Sequence, residues 1–460
     1  MKVLLISPNI ESLPDPVFPI GLAYITAALK QHNIRYQVLD LCFVEDYDAV
    51  IVSALQHFSP DIIGMSLRNV DNVSYPNYIS YFPFYRKIVQ IIRQHSKARI
   101  VIGGSGFALL PESILHYLQA DYGILGEGEY TLAKFINTLD QTKDPLTLQP
   151  PQMINYPPGI VENLDDLPIP DRTDFDNVAY YQRGGMGNIQ TKRGCPFNCI
   201  YCTYPVIEGK KIRQRHPKLV CDEIEDLLTY GARHLFFVDN EFNYPIEHAE
   251  AICREIIHRK LPIKWSCYAI PQFITSELVE LMLEAGCTGL EFGSDAACET
   301  MLKNMGKSFT VSDLQSASAI CRRVGLSFCH SLLLGGPGET MKTVNETLKT
   351  VLEMSPTAVI CMLGIRMFPK TKISLIAEDE GIIGPNTDFL KPVFYLSSAI
   401  KDEILPFLEA FSKKHPTWIF PGLKININAN MQRKLRRFGI KGPLWEYMKT
   451  GERFRLSPHI

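Results

Sequence analysis

Short apolar runs alternate with longer amphipathic stretches along most of this chain, and that alternation admits few architectures. In the first part, Lys2–Pro8, Tyr36–Asp40, Ile62–Leu67, Arg99–Gly103 and Tyr122–Leu125 read as strands. Between and after them lie Ile20–Gln31, Asp46–Leu55, Tyr85–Gln94, Pro111–Leu118 and Glu129–Leu139, which read as helices. Leu22, Ile25 and Leu29 fall along one side of the first. Strands flanked by helices predict a parallel, doubly wound sheet of the flavodoxin or Rossmann type. Such sheets bind ligands at the carboxyl ends of their strands.

Gln141–Pro170 breaks the pattern. Its PLTLQPPQ and YPPG runs predict a linker crossing the surface. Alternation resumes at Gly187. Strands are expected at Asn188–Lys192, His234–Asp239, Lys264–Tyr268, Gly289–Gly293, Leu326–Leu334 and Ala358–Met362. Helices are expected at Lys218–Tyr230, Pro245–Lys260, Thr275–Ala285, Ser312–Val324 and Thr340–Glu353. Roughly six β/α units suit an incomplete barrel, short of the full eight. The expected α/β organisation is a doubly wound domain over 1–140, a Pro-rich linker over 141–185, a partial (β/α)6 barrel over 186–375 and a small α-rich segment over 376–460.

Composition narrows the function classes. The net charge is −2 over 460 residues, without the basic excess that nucleic-acid binding normally needs. The start, MKVLLISPNI, has no long apolar stretch and no small-residue cleavage site, so it reads as a strand and not as a signal peptide. No apolar run reaches the ~18 residues of a membrane span. A cytoplasmic, reducing location is therefore expected, where clustered cysteines bind metal or do chemistry more often than they form disulfides. Of the twelve cysteines, Cys253, Cys321 and Cys361 fall in apolar runs and read as small core residues.

Three others do not. TKRGCPFNCIYCTYP holds Cys195, Cys199 and Cys202 in a Cys-x3-Cys-x2-Cys spacing, with Gly194 and Pro196 favouring a loop. Three thiolates from one tight loop can reach three irons of a cubane and leave the fourth open to a small molecule. A structural zinc site is the competing reading. It needs a fourth ligand, for which Cys221 and His216 are the nearest candidates.

With Tyr201 before the third cysteine, this segment resembles the signature of the radical S-adenosylmethionine (SAM) superfamily. The resemblance runs over much of Gly187–Leu375. It implies a [4Fe–4S] cluster on Cys195, Cys199 and Cys202 whose open iron chelates SAM. Electron transfer into SAM then yields a 5′-deoxyadenosyl radical, and an external donor of flavodoxin or ferredoxin type supplies the electron. It also implies SAM contacts. Tyr201 is one candidate. In FVDNEFN, Asp239, Asn240 and Glu241 stand where the family contacts the SAM amine, although its usual Gly-Gly-Glu is absent. In GLEFGSDAACETMLKNMGKSFT the candidates are Glu291 and Ser294; alternatively Ser294 or Asp295 merely caps a helix. LLLGGPGET matches a family turn. RMFPKT adds Arg366, with Lys370 where a glycine is common.

The first domain, through PIGLAYITAAL, DIIGMSLRN, VIGGSGFALLPE and ADYGILGEGE, resembles that of the cobalamin-binding class of these enzymes. The resemblance implies a corrinoid near Ser66, Arg68, Asn69, Gly103, Gly104, Ser105, Gly106, Glu127 and Gly128. Glycines after a strand let backbone approach a bulky ligand. Glu127 is either a cofactor contact or a helix N-terminal acid. The asp-x-his-x-x-gly motif that supplies a histidine to cobalt is absent, so cobalamin is expected without a histidine ligand. Arg68 or Asn69 would then lie beneath the corrin, where an Arg disfavours a cationic, ligated cobalt; alternatively Arg68 only hydrogen-bonds a propionamide or carboxylate. A generic flavodoxin-like domain is the competing reading.

The class implies methyl transfer from methylcobalamin to an unactivated carbon of a small-molecule or lipid-like substrate. A non-methylating radical reaction and a sensor without turnover are the alternatives. Tyr204, Tyr244, Tyr268 and His330 are expected to form an aromatic pocket at the barrel mouth. The basic, aromatic stretch His415–Met448 reads as a cap packed through Leu435, Ile440 and Leu444, or else as a surface for RNA or membrane.

Overall fold

The computed structural model describes residues 1–12, 14–141, 151–154, 159–426 and 429–448. Six strands form the first sheet: β1 Lys2–Ser7, β2 Arg35–Asp40, β3 Ile62–Ser66, β4 Arg99–Gly103, β5 Tyr122–Ile124 and β6 Gln152–Ile154. Their order is β2-β1-β3-β4-β5-β6, and neighbouring pairs are parallel. The two-residue period of β1 sorts its side chains. Val3 and Leu5 pack with Leu22, Ala23 and Phe135 on one face; Leu4 and Ile6 pack with Ile51, Leu55 and Ile88 on the other. Helices therefore cover both faces. The order reverses at β1/β3, which puts the ligand crevice above the ends of those strands.

β6 lies inside the expected linker and pairs with β5, so part of that segment belongs to the sheet. Residues 142–150 and 155–158 of the linker lie outside the described residues. Its later part is also built in. A helix over Asn177–Arg183 is capped by Asp176, and the Arg172 guanidinium is buried against Glu223 at 3.0 Å. Periodicity could not reveal this, because these are short elements held by long-range polar partners.

Eleven further strands follow: β7 Gly187–Ile189, β8 Lys192–Arg193, β9 Arg213–Gln214, β10 His234–Phe237, β11 Lys264–Ala269, β12 Cys287–Asp295, β13 Ser327–Leu334, β14 Ala358–Leu363, β15 Ile365–Arg366, β16 Phe394–Tyr395 and β17 Trp418–Ile419. The barrel sheet runs β17-β14-β13-β12-β11-β10-β7, all parallel, and its two end strands are not paired with each other. All six expected barrel strands are present. The seventh, β17, comes from the tail. The expected strand Asn188–Lys192 is split, because the Asp239 carboxylate accepts from Thr191 N, Thr191 Oγ1 and Lys192 N and draws the chain into the separate β8–β9 hairpin.

Barrel strands sort their side chains the same way. Phe292 and Phe328 pack with helix residues Ala317 and Cys321, so even-numbered residues of β12 and β13 face the helices. Glu291 lies opposite Cys329 in register and faces the lumen. The helix Val311–Val324 follows from its ends: Thr310 and Asp313 form a reciprocal capping box, and Gly325 closes it at φ 83°.

Candidate functional site

The loop after β8 carries the three cysteines. Gly194 sits at φ +94°, where a Cβ would meet Lys211 O at 2.2 Å, so only glycine fits. Backbone bonds hold the loop from several sides: Cys195 N to Gly209 O (3.1 Å), Cys202 N to Cys199 O (3.2 Å) and Ile200 N to Met305 O (3.1 Å). Cys195, Cys199 and Cys202 are free thiols near enough to influence one another electrostatically. Burial pushes Cys195 up to about 11 and Cys202 up to about 12. Metal binding takes such thiols in their deprotonated form.

The zinc reading lacks its fourth ligand. Cys221 is fully buried in the core under its helix, and His216 caps that helix by accepting from Lys218 N. Among the described residues no group of three or more His, Cys, Asp or Glu is set to hold one metal ion. A single ion needs donors converging on one point, whereas a cubane spreads its thiolates over separate irons. The donor set fits the cluster.

The end of β10 separates its three candidates. Asp239 accepts from Thr191 N and Lys192 N on Oδ1 and from the Thr191 hydroxyl on Oδ2, so both of its oxygens are engaged. Asn240 donates to Glu208 Oε2 at 2.9 Å, and that carboxylate also accepts from Gly194 N. Glu241 alone keeps a buried oxygen, Oε2, without a partner. Burial pushes its carboxyl up to about 7, with the Lys307 ammonium opposing. Its charge reaches Cys195 and Cys199. An orphaned carboxylate beside three thiols fits the ammonium of a cluster-bound amino acid.

Tyr201 donates to Asp295 Oδ2 at 2.6 Å, and the Lys307 Nζ joins the same oxygen at 2.9 Å. Lys307 also faces Cys199. The sequence alone offers Asp295 only as a helix cap and does not single out Lys307, because their pairing joins two ends of the segment Gly289–Thr310. Ser294 is turned to the helix layer, where its Oγ meets His330 Nδ1 at 2.7 Å and His330 Nε2 meets Ser318 at 3.1 Å. His330 is therefore no part of the barrel mouth; its even-numbered position on β13 decides that. Arg366 is engaged by Asp71 Oδ2, Met367 O and Phe389 O, with no donor aimed at the cysteine loop.

On the first sheet, Ser66 ends β3 and Leu67–Asn69 follow it at the switch point. The β4 turn is clamped to this loop by Gly106 N to Leu67 O (2.8 Å), Leu67 N to Gly103 O (2.8 Å) and Ser105 Oγ to Arg68 O (3.0 Å). A Cβ on Gly104, at φ +99°, would lie 2.6 Å from Leu67 O, and one on Gly106 would lie 3.1 Å from the Arg68 backbone. These glycines serve the approach of two protein loops. A Cβ on Gly103 would meet nothing nearer than Ile124 at 3.9 Å. The Arg68 side chain is left exposed. Glu127 differs from the cofactor-contact expectation: Arg213 binds both its oxygens (2.8 and 2.7 Å), and Val161 N adds a third bond. It stands just before the helix Gly128–Gln141, as the helix-acid alternative requires. Of the two histidines nearest the start of the chain, His32 packs edge-on to Tyr130, and His57 bonds back to Ser53 O.

The two strand-end surfaces meet. The helix Ser105–Leu109 contacts the helix Tyr204–Ile207 that follows the cysteine loop. Burial raises the Tyr204 phenol and the Glu291 charge raises that of Tyr268, while the positive charge of Arg68 opposes both more weakly. Both tyrosines keep open surface here, 46% and 42%. Tyr244 stacks on Phe273 at 4.7 Å and flanks Phe197 of the loop. The tail packs through Arg436, which binds Asp15 twice at 2.7 Å, and Trp445, rather than mainly through Leu435, Ile440 and Leu444. Residues 449–460 lie outside the described residues. Among the described residues, no helix is long and apolar enough to cross a membrane.

Comparison with known proteins agrees with this arrangement. The B12 binding domain profile matches residues 6–136, and the Radical SAM superfamily profile matches 189–351. Tryptophan 2-C-methyltransferase of Streptomyces laurentii is 26% identical over 453 residues, covering 83% of this chain and 75% of that protein. An uncharacterised methyltransferase of Pyrococcus horikoshii is 27% identical, covering 76% and 77%. The radical SAM methyltransferase TsrM from Kitasatospora setae, solved with cobalamin and a [4Fe–4S] cluster, superimposes with a TM-score of 0.87 at 23% identity over 98% of both chains. Its structure with tryptophan and a SAM analogue gives 0.86 at 24%, again over 98% of both.

Proposed function

Since this chain is a cobalamin-binding radical SAM protein, with a B12 binding domain followed by a radical SAM domain, we propose that it methylates carbon on a small aromatic molecule held between its two strand-end surfaces. One observation carries the reading: the helix Ser105–Leu109 that follows β4 of the first sheet packs on the helix Tyr204–Ile207 that follows the cysteine loop. The open aromatic surface of Tyr204 and Tyr268 and the tryptophan and carbon methylation named for similar proteins support the substrate class.

When bound, the cluster and cobalamin supply the electron that cleaves SAM to a 5′-deoxyadenosyl radical and the methyl group that is transferred. The chain's own residues bind and orient. Cys195, Cys199 and Cys202 hold the cluster. Glu241 receives the SAM ammonium through its unpartnered oxygen, a charge-assisted contact. Tyr201 and Lys307, tied by Asp295, fix the loop beside Cys199. Leu67–Asn69 and Gly103–Gly106 would hold the corrinoid, and the Arg68 guanidinium among them would disfavour a positively charged metal. Tyr204, Tyr268 and Tyr244 offer aromatic surface against which the substrate ring lies. The electron comes from a flavodoxin- or ferredoxin-type donor in the cytoplasm.

Anaerobic incubation of the reconstituted protein with SAM, reductant and indole-type compounds tests this. The expected products are a substrate one methyl group heavier, S-adenosylhomocysteine and 5′-deoxyadenosine. 5′-Deoxyadenosine without S-adenosylhomocysteine or methylated product would mean a non-methylating radical reaction.

A further inference from the structure

Along β12 the register breaks between Phe292 and Asp295; on the inner side of the break Glu291 faces the lumen, paired with Tyr268 and Cys329. Asp295 is occupied by Tyr201 and Lys307. A Cβ on Gly293, within the break, would meet nothing within 4 Å, so open space adjoins β12 at this level. Tyr268 forms one wall, edge-on to Phe236 at 5.0 Å. Glu291 lies below, next to Tyr268 in strand register.

Trp445 closes the floor. Its indole packs against Gly289, where any Cβ would be 2.7 Å from the ring, and its Nε1 donates to Glu291 Oε1 at 2.7 Å. That is the one hydrogen bond to this carboxylate among the described residues. No cation pairs with it there, and Oε2 is not among the sealed polar atoms. Its charge is the largest influence on the Tyr268 phenol, which it raises. Burial pushes Glu291 itself up to about 7. Holding a carboxylate in an apolar lumen without a counter-charge is costly. A purely structural role would be met by an amide, which also accepts from Trp445. A free oxygen facing open space beside aromatic rings is arranged for a donor brought from outside.

We propose that Glu291 reads the substrate rather than SAM: its open oxygen accepts an N–H from an aromatic molecule lying against Tyr268, so the protein selects aromatic compounds that carry a nitrogen donor, either a ring N–H or an ammonium. This rests on the lumen being the substrate site, as in the function proposed above, and gives that site its chemical preference. Arg68 guards the opposite end, at the mouth.

Titration calorimetry on the anaerobically reconstituted holoenzyme tests the inference without turnover. The probes are indole against 1-methylindole, and tryptamine against 3-ethylindole. In each pair one nitrogen donor is removed, which separates ring N–H from ammonium recognition. The donor-bearing member of at least one pair is expected to bind about tenfold tighter or more, as for a hydrogen bond to a charged group. Glu291→Gln should abolish that preference while SAM affinity, iron content and the corrinoid spectrum stay unchanged. Glu291→Asp, which keeps the charge, should retain part of it. Undiminished preference in Glu291→Gln, loss of SAM affinity instead, or no binding of any probe to the wild type would overturn the proposal. Methyl transfer to a substrate without such a donor would overturn it and leave the methyltransferase reading standing. Glu291-dependent preference without methyl transfer would do the reverse.

Discussion

The Arg366 guanidinium and the Asp71 carboxylate, 295 positions apart in the chain, meet at 2.8 Å in the seam between the barrel and the first sheet. Both side chains are almost fully buried. Arg366 spends its remaining donors on the carbonyls of Met367 and Phe389. The pair latches the two halves together, as the Glu127–Arg213 contact also does.

Breaking this latch from one side leaves a buried charge unpaired. Asp71→Leu or Arg366→Met alone is expected to lower stability by about 3–5 kcal/mol, and the double variant to recover much of that loss. Urea unfolding of all four proteins checks it. Single variants that unfold like the wild type would show that the seam is open to water.

The Glu127 contact carries a pH signature. Burial alone would raise its carboxyl, but the Arg213 hydrogen bonds and the Arg193 charge outweigh burial and hold it below its usual 4.5. A depressed carboxylate stabilises the fold fully above its unfolded value and loses that contribution as pH falls through the folded value. Between neutral pH and 4.5 the wild type should therefore exceed Glu127→Gln by a constant margin. The margin should shrink on further acidification. Acid denaturation of both proteins measures it, and a margin that grows below pH 4.5 would reverse the assignment.

Replacing Cys195, Cys199 and Cys202 together by Ala should remove the roughly four irons and the visible charge-transfer absorbance of the anaerobically reconstituted protein. Cys221→Ala should keep both, because Cys221 lies in the core beneath its helix. Iron retained by the triple variant and lost from Cys221→Ala would return the site to the zinc-like ligand set.

Hydroxocobalamin should bind with its own base displaced. After reduction to Co(II), electron paramagnetic resonance should lack nitrogen superhyperfine splitting from a protein histidine, since His32 is packed on Tyr130 and His57 is bonded to Ser53 O. Arg68→His should introduce such splitting if Arg68 lies beneath the metal. Splitting in the wild type would refute the claim.

Periodicity and spacing made much of this protein legible. The helices Ile20–Gln31 and Pro111–Leu118 and the strand Arg99–Gly103 have the bounds their patterns predict, because local hydrophobic period and Gly or Pro punctuation decide such elements. The Cys-x3-Cys-x2-Cys loop is legible for the same reason: its chemistry lies within eight consecutive residues. What the chain's linear order does not carry is which polar group each side chain meets. Asp239 and Glu241 look alike in sequence, yet one is saturated by the backbone after β7 and the other is left open. Glu127 and Arg366 turned out to join the two halves. His330 went to the helix layer on the parity of a strand, and Glu291 gained Trp445 from 154 positions away. A buried charge takes its partner from whatever packing brings within hydrogen-bond reach, so only the tertiary structure decides whether a carboxylate is a strut or an open site.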